Sequence, residues 1–593
     1  MTDDPAPSGR YATTAAAMER VLGDPMTESA GALSFRAAME RDEEERFPSD
    51  ALEALAPAGI SALHVPRAEG GRFESFEDLL AVARAVSRRD PSAALAAGMQ
   101  VWSQLAWMAG SAPQRAAVRD AVLGGGALCF AASEPEHGAD LLACETRAAR
   151  DPDGFALHGT KWPIGGVAAA RMALVLARTG ESGARGLSWF LVERGAHDAS
   201  MPAGMLLLPK QRTLGLRAAM IGGLSFDGLR LPASAMVGAE GAGLELTPKT
   251  FQITRPLAAS LSLGLADSAL RLASTFALGR RLYGTTASAL PAVRSALAGA
   301  FADLLAAEAL SLSTVRGAHV APAELGVTSA ATKVVVPMLG ERVLREATEV
   351  LGARHYLRDT FHHGMFQKLL RDHGALPLFD GSTTVCLHAL GGLLPALARP
   401  MRTDDAPARR ARLAQRFDLR RAVPGFDHAS LTLAARGEDD VVRGLTDLAA
   451  RWADGGTPAT LAPATAARLV ELLGSVARAG AGLVETIRGR MAATSLSGRS
   501  TALLHFARRY AMLHAAAACA HLLDHAAGLD AFLQQGDWLV LALCRLVPGA
   551  ASLELPLDEV AGADAVDRVA SELFARTTTP RLFSVAPVAV AGI

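Results

Sequence analysis

The chain has 593 residues, 50% of them hydrophobic, with 59 Lys plus Arg against 60 Asp plus Glu and a formal net charge of -1. That length supplies roughly three or four domains' worth of material, and the near-zero balance excludes a general attraction to nucleic acid or anionic membrane. Five scattered cysteines (Cys129, Cys144, Cys386, Cys519, Cys544) form no C-x-x-C pair, which argues against a disulfide framework or zinc site and for a reducing cytoplasm.

The first ten residues, "MTDDPAPSGR", are polar and acidic where a signal peptide is basic and then apolar. No uncharged apolar run approaches the ~18 residues a bilayer requires, so no transmembrane segment is expected. Residues 1–30 are expected to lack fixed structure. From 31 to 128, stretches such as "FEDLLAVARAVSRRD" carry apolar residues at three- and four-residue spacing and predict a helical domain. Between 129 and 237, "MALVLART", "GLSWFLVER" and "GGLSFDGLRLP" are short apolar runs bounded by Gly, Asp and Pro, as strands are. Helices return over 238–399, rich in Ala and Leu.

The stretch at 400–412, "PMRTDDAPARRAR", is charged and broken by Pro, and reads as a linker. It precedes a further helical domain, 413–593. There "TALLHFARRYAMLHAAAACAHLLDHAAGLDAFLQ" predicts a helix or helix pair used for packing or oligomerisation, and its Arg508 and Arg509 exclude a span. The tail "LFSVAPVAVAGI" is a docking strand or is unstructured. The order of elements is α+β: a helical domain, a small β barrel or sandwich, a helical bundle and an extra helical domain.

Motifs of several common enzyme classes are missing: no G-x-x-x-x-G-K-[ST], no G-x-S-x-G, no H-E-x-x-H. "GGG" at 124–126 ends a helix instead of following a strand, and reads as a cap or turn. His355, His362, His363 and His373 lie near one another with no carboxylate or thiol placed to complete a coordination shell of obvious geometry, so no metal is expected. At 378–384 the chain reads "LFDGSTT". Asp-Gly alone needs nothing beyond a turn.

A resemblance gives Asp380 a second meaning. "CFAASEPEHGADL" from 129, "DGFALHGTKWPIGG" after it, "TLGLRAAMIGGLSFDGLRLPASAMVGAEGAG" at 213–243, "FQITRP" at 251–256, "GRRLYG" at 279–284, "ATEVLGARHY" at 347–356 and "RDHGALPLFDGST" at 371–383 occur in order. Together they resemble the acyl-CoA dehydrogenase family over about 35–398. The resemblance implies FAD held between the β domain and the following helices, and oxidation of an acyl thioester to its 2,3-enoyl form. A carboxylate takes the α proton, hydride passes to flavin N5, and electrons leave to electron-transferring flavoprotein.

Carried over by position, the resemblance makes Asp380 the catalytic base, nine residues after Arg371. An α C–H is a weak acid, so the base needs a water-poor pocket and donors aimed at the carbonyl. Leu376, Pro377, Leu378 and Phe379 are expected to keep that pocket dry. The resemblance assigns Ala131, Ser133, Pro163, Ile164, Gly165, Arg280, Tyr283, Glu349, Gly352, Ser382 and Thr384 to FAD. It assigns Ala139, Thr254, Arg255 and Gly381 to substrate, with Arg255 pairing with Asp380 or orienting the acyl group on a helix beginning near Thr254.

Departures from the family pattern are specific. Asp380 replaces the usual glutamate and is about 1.5 Å shorter in reach. Pro163 stands for Trp, Gly165 for Thr, Ala139 for Ser and Glu349 for Gln, and Ala353 and His355 stand for glycines. The expected activity is dehydrogenation of an acyl-CoA or acyl carrier protein thioester in a specialised biosynthetic pathway, by a homodimer. An oxygen-using flavin oxidase or hydroxylase, and a non-catalytic scaffold on the same fold, are the competing readings.

Overall fold

The computed structural model describes residues 9–181, 183, 185–194, 201–399, 405–433, 437–492, 501–526, 528–547 and 555–590. The N-terminal helices are α1 (Arg10–Leu22), α2 (Phe35–Glu43), α3 (Ser49–Leu55), α4 (Phe76–Ser87), α5 (Pro91–Gly98), α6 (Ser103–Ala109) and α7 (Ala112–Leu123). Ser75 caps α4 through Glu77 N, and Ser111 with Gln114 forms a capping box at α7. Gly124–Gly126 then ends α7, with Gly125 at φ +77°.

Helix α1 corrects the expectation for residues 1–30. Tyr11, Ala12, Ala15, Met18 and Leu22 form one buried stripe, and Glu19 accepts hydrogen bonds from Arg88 and Arg89 beyond α4. The partner arginines lie some seventy positions away, so the local sequence shows only a polar start.

The sheet comprises β1 (Ala127–Ala131), β2 (Arg147–Asp151), β3 (Gly154–Gly165), β4 (Ala170–Arg178), β5 (Leu187–Glu193), β6 (Met205–Leu208), β7 (Ile221–Pro232) and β8 (Met236–Val237). Its order is β6-β7-β3-β2-β4-β5-β8, with β1 parallel to β4. Both faces are covered. Along β4, Leu174 and Leu176 join Trp102, Trp107 and Trp189 against the N-terminal helices, while Ala173, Val175 and Ala177 face Phe155 and Phe190 inside the β domain. Alternation of side chains along a strand explains why one apolar run serves two cores.

The following bundle is α8 (Gly243–Gly279), α9 (Pro291–Val320), α10 (Leu325–Leu351), α11 (Met365–His373) and α12 (Thr383–Leu397). Helix α8 starts at Gly243, not near Thr254, and runs through Pro248 and Pro256. The prolines sit in an otherwise packed helix whose neighbours hold it together. Helix α9 is long and apolar enough to cross a membrane by length and composition, although Asp303 and Glu308 interrupt its apolar stretch. In the fold 89% of its most apolar window is buried. Within it Asp303, Glu308 and Arg316 pair with Arg545, Arg84 and Glu77.

Helices α13 (Ala406–Phe417), α14 (Asp440–Ala453), α15 (Pro463–Ala492), α16 (Thr501–Asp524), α17 (Asp537–Leu546), α18 (Leu557–Ala561) and α19 (Ala563–Thr578) form the extension. Helix α13 overrides the expected linker from 406 onward: Asp405 caps it and Leu413 and Phe417 are buried. Residues 400–404 lie outside the described residues. The Ala-rich stretch is a single helix, α16, as far as Asp524, and its residues 515–520 are all buried.

The tail docks: Phe583 O accepts from Arg84 Nη2 at 2.8 Å, Val585 N donates to Glu308 at 2.7 Å, and Phe583 N donates to Asp267 at 3.2 Å. Its last residues, 591–593, are outside the described set. Truncation before Arg581 removes these partners from buried charges. We expect it to cost about 3–5 kcal/mol in chemical denaturation, with the denatured baseline unchanged.

Candidate active site

Asp380 lies on the loop between α11 and α12, in the left-handed region at φ +57°, followed by Gly381 at φ +91°. Ser382 caps α12, accepting from Val385 N. Arg255 on α8 donates from Nε to the Asp380 backbone oxygen at 2.9 Å, and its guanidinium stands over Phe251. Arg255 thus meets Asp380, one of its two expected roles, through the backbone oxygen and without a direct ion pair to the carboxylate. A Cβ at Gly381 would lie 2.9 Å from Arg255 Nη2. Gly381→Ala should thus cost about 1 kcal/mol of stability from the backbone alone, measured by thermal melting, and disturb the Arg255 contact further.

Asp380, Thr254 and Phe379 line one side of an apolar cleft with a cavity of about 70 Å³, open at its mouth. Leu79, Val82 and Val86 of α4, with Leu95, Met99 and Trp102, line the rest. Leu378 is 65% exposed and contributes no dryness, whereas Leu376 is buried. The water-poor wall comes mainly from N-terminal helices distant in sequence. His64 also lines the cleft; burial pushes its imidazole down to about 4, so it is neutral at pH 7.

Burial raises the Asp380 carboxyl above its ordinary range, opposed by the charge of Lys333, the Thr254 hydroxyl and the charge of Arg255. Lys333 is buried on α10. Sequence reasoning missed it. The available signal was a lysine inside the apolar run "ATKVVVP", since lysines are rarely buried without a purpose.

A second group forms around β1 and β3. Lys161 Nζ donates to Glu134 Oε1 at 2.7 Å and to Ala132 O at 3.0 Å, and Glu134 also accepts from Glu145 N, Thr146 N and Thr146 Oγ1. This buried pair ties the segment bearing Ala131 and Ser133 to the one bearing Pro163 and Gly165. Ser133 is half-buried, Pro163 exposed and Gly165 half-buried beside Met99. Ile164 turns into the β-domain core, so only its backbone faces the site. Ala139 is exposed on the loop after β1.

None of the remaining predicted residues lines the cleft. Arg281–Leu282 pairs with Thr285–Thr286 in a hairpin whose turn places Tyr283 at φ +52° and 92% exposed. Arg280, Glu349, Gly352 and Thr384 are also exposed. His355, His362 and His363 occupy turns before α11 while His373 is buried at its end. Among the described residues no group of three His, Cys, Asp or Glu is arranged to hold a metal ion.

Three family descriptions match in chain order: Acyl-CoA dehydrogenase, N-terminal domain, at 33–125; middle domain, at 129–229; and C-terminal domain, at 241–391. The chain belongs to the acyl-CoA dehydrogenase family. A probable acyl-CoA dehydrogenase of Mycobacterium tuberculosis is 28% identical over 351 residues, 59% of this chain and 88% of that protein. Cyclohex-1-ene-1-carbonyl-CoA dehydrogenase of Geobacter metallireducens is 26% identical, over 60% of this chain and 92% of that one.

Among solved structures, butyryl-CoA dehydrogenase from Megasphaera elsdenii shares the fold with a TM-score of 0.58 at 22% identity, over 65% of this chain and 97% of that one. The prolyl acyl carrier protein oxidase AnaB does so with 0.56 at 19%, also over 65% and 97%. The family matches stop at 391.

The chain is an acyl-CoA dehydrogenase family oxidoreductase, and the family's cofactor is FAD. The residues present fit it. Gly165 leaves its side open, with Met99 Sδ 3.8 Å from where a Cβ would stand. Ser133 keeps a half-exposed hydroxyl. Arg280 is an exposed guanidinium with no ion pair among the described residues, suited to a phosphate.

Proposed function

We propose that this chain dehydrogenates an acyl thioester between its α and β carbons, with Asp380 as the base. Asp380 is the carboxylate on the cleft wall, and burial raises its proton affinity toward that of a useful base. FAD, when bound, supplies the hydride acceptor for the β hydrogen. Ser133 and Gly165 would hold its ring, and Arg280 and Tyr283 would reach the phosphates of a second subunit's cofactor. The exposed Glu349 is the poorest match of that set, since a carboxylate repels a phosphate-rich ligand.

The chain's own groups divide the remaining work. The backbone N–H groups of Asp380 and Gly381 donate to no acceptor among the described residues, and are free to meet the thioester carbonyl. Thr254 Oγ1, which favours the ionised Asp380 carboxylate, is buried and faces the same cleft. Leu79, Val82 and Val86 exclude water and take the acyl chain. The left-handed turn at Asp380 re-aims a side chain one methylene shorter than glutamate.

The experiment is anaerobic mixing of the yellow protein with saturated acyl-CoA and acyl carrier protein thioesters. Bleaching of the flavin band with formation of the 2,3-enoyl product is the expected result, and reaction of one carrier alone assigns the substrate. A colourless protein that takes up no FAD would support a scaffold instead. Fast reoxidation in air would favour oxygen over electron-transferring flavoprotein as acceptor, the reading that an aspartate base recommends. A homodimer is supported by the exposed, unpaired Arg280 and Tyr283. A reducing, cytoplasmic setting is supported by five free, buried cysteines.

A further inference from the structure

The loop that carries Asp380 hangs from two cations on two different helices. Arg255 of α8 takes the Asp380 carbonyl at 2.9 Å, and Lys333 of α10 takes the Leu376 carbonyl, donating from Nζ at 2.5 Å. The Lys333 ammonium also stands 5.1 Å from the centroid of the Phe379 ring. Lys333 is completely buried among Val334, Val335 and Val336, and among the described residues it makes no direct ion pair. A buried ammonium without a contacting carboxylate is costly, and an apolar side chain would pack there at less expense.

We propose that Lys333 is a positioning residue for the base: from α10 it holds the Asp380 loop through the Leu376 carbonyl and the Phe379 ring, and so brings a positive charge to that loop. The proposal rests on Asp380 as the base. Burial brings the Lys333 ammonium down to about 8, so it is mostly charged at pH 7. Its charge is the largest influence opposing the burial-raised affinity of Asp380 for a proton.

The other groups facing this cluster are few. Arg255 and Thr254 of α8 act on Asp380 in the same direction as Lys333, but less. His373 of α11, lowered to about 4, is neutral, and Cys386 of α12 is a thiol whose pKa burial raises. Removing the Lys333 charge therefore lets burial act against Arg255 and Thr254 alone, and the Asp380 titration moves upward.

The test uses the FAD-loaded protein with Lys333→Met and Lys333→Arg. Two quantities are read: the Asp380 carboxyl stretch against pH, by infrared difference with Asp380→Asn subtracted, and the acidic limb of kcat/KM with a saturated straight-chain acyl-CoA. Lys333→Met is expected to raise both by about one pH unit or more, a tenfold loss on the acidic side, and Lys333→Arg to return both toward the parent. A folded Lys333→Met protein whose carboxyl titration does not move overturns the proposal. If Lys333→Met does not fold, Lys333→Gln, closer in length and polar, is held to the same criterion. Full turnover in Asp380→Asn would instead overturn the base assignment, while the charge effect on the carboxyl would still be read in Lys333→Met.

Discussion

Asp380→Asn is expected to lower kcat by about 10²–10⁴-fold, the usual contribution of a positioned general base. The protein should stay yellow and folded, because the amide preserves size and the Arg255 contact is to the backbone. Single-turnover bleaching of the flavin band measures this directly, and undiminished bleaching would remove Asp380 from the mechanism. The pH dependence follows from the same environment. Burial raises the Asp380 pKa, so the active ionised form is lost as pH falls through a value above that of an ordinary aspartate. Asp380→Glu then tests reach: if the left-handed turn compensates for the missing methylene, a longer side chain overshoots and kcat falls, whereas a gain would show that the aspartate limits the rate.

Lys161→Met should have the largest effect on stability at the site, about 3–5 kcal/mol, because it strands the Glu134 carboxylate in a buried position. The same pair predicts an acid-sensitive fold. Glu134 is held at about 2 against an ordinary 4.5, so burial is outweighed by Lys161 and the backbone and side-chain donors around it. A depressed carboxylate stabilises fully above about pH 4.5 and loses that contribution as pH falls toward 2. The shift corresponds to roughly 3 kcal/mol. Urea denaturation of the parent at two pH values within that window should show the loss, and Lys161→Met should show little of it.

Legibility of the site varied with how local each cause is. The strands were readable because short apolar runs bounded by Gly, Asp and Pro are written into a few consecutive residues, as in "MALVLART" along β4. Asp380 was readable through its nine-residue distance from Arg371. Lys333 was not, because its meaning lies in Leu376 and Phe379, more than forty positions away. Arg255 was placed beside Asp380, but which of its oxygens it meets was not readable, since side-chain and backbone oxygens of one residue cannot be told apart in a sequence. The start near Thr254 was carried over with the resemblance at "FQITRP", whereas packing lets α8 run from Gly243 through Pro248 and Pro256.

By itself the sequence determined the family, the α+β order of helices, sheet and bundle, the presence of an acid where the family keeps its base, and the departures at Pro163, Gly165, Ala139 and Glu349. Those properties are carried by residue identity and short spacings. Only the tertiary structure decided what makes the Asp380 cleft dry, which cations hold its loop, and that α1 and the tail segment at 582–590 are parts of the packed fold. Burial and electrostatic strength depend on what surrounds a group in space. For Asp380 those surroundings come from α4, α8 and α10, helices that the chain brings together only on folding.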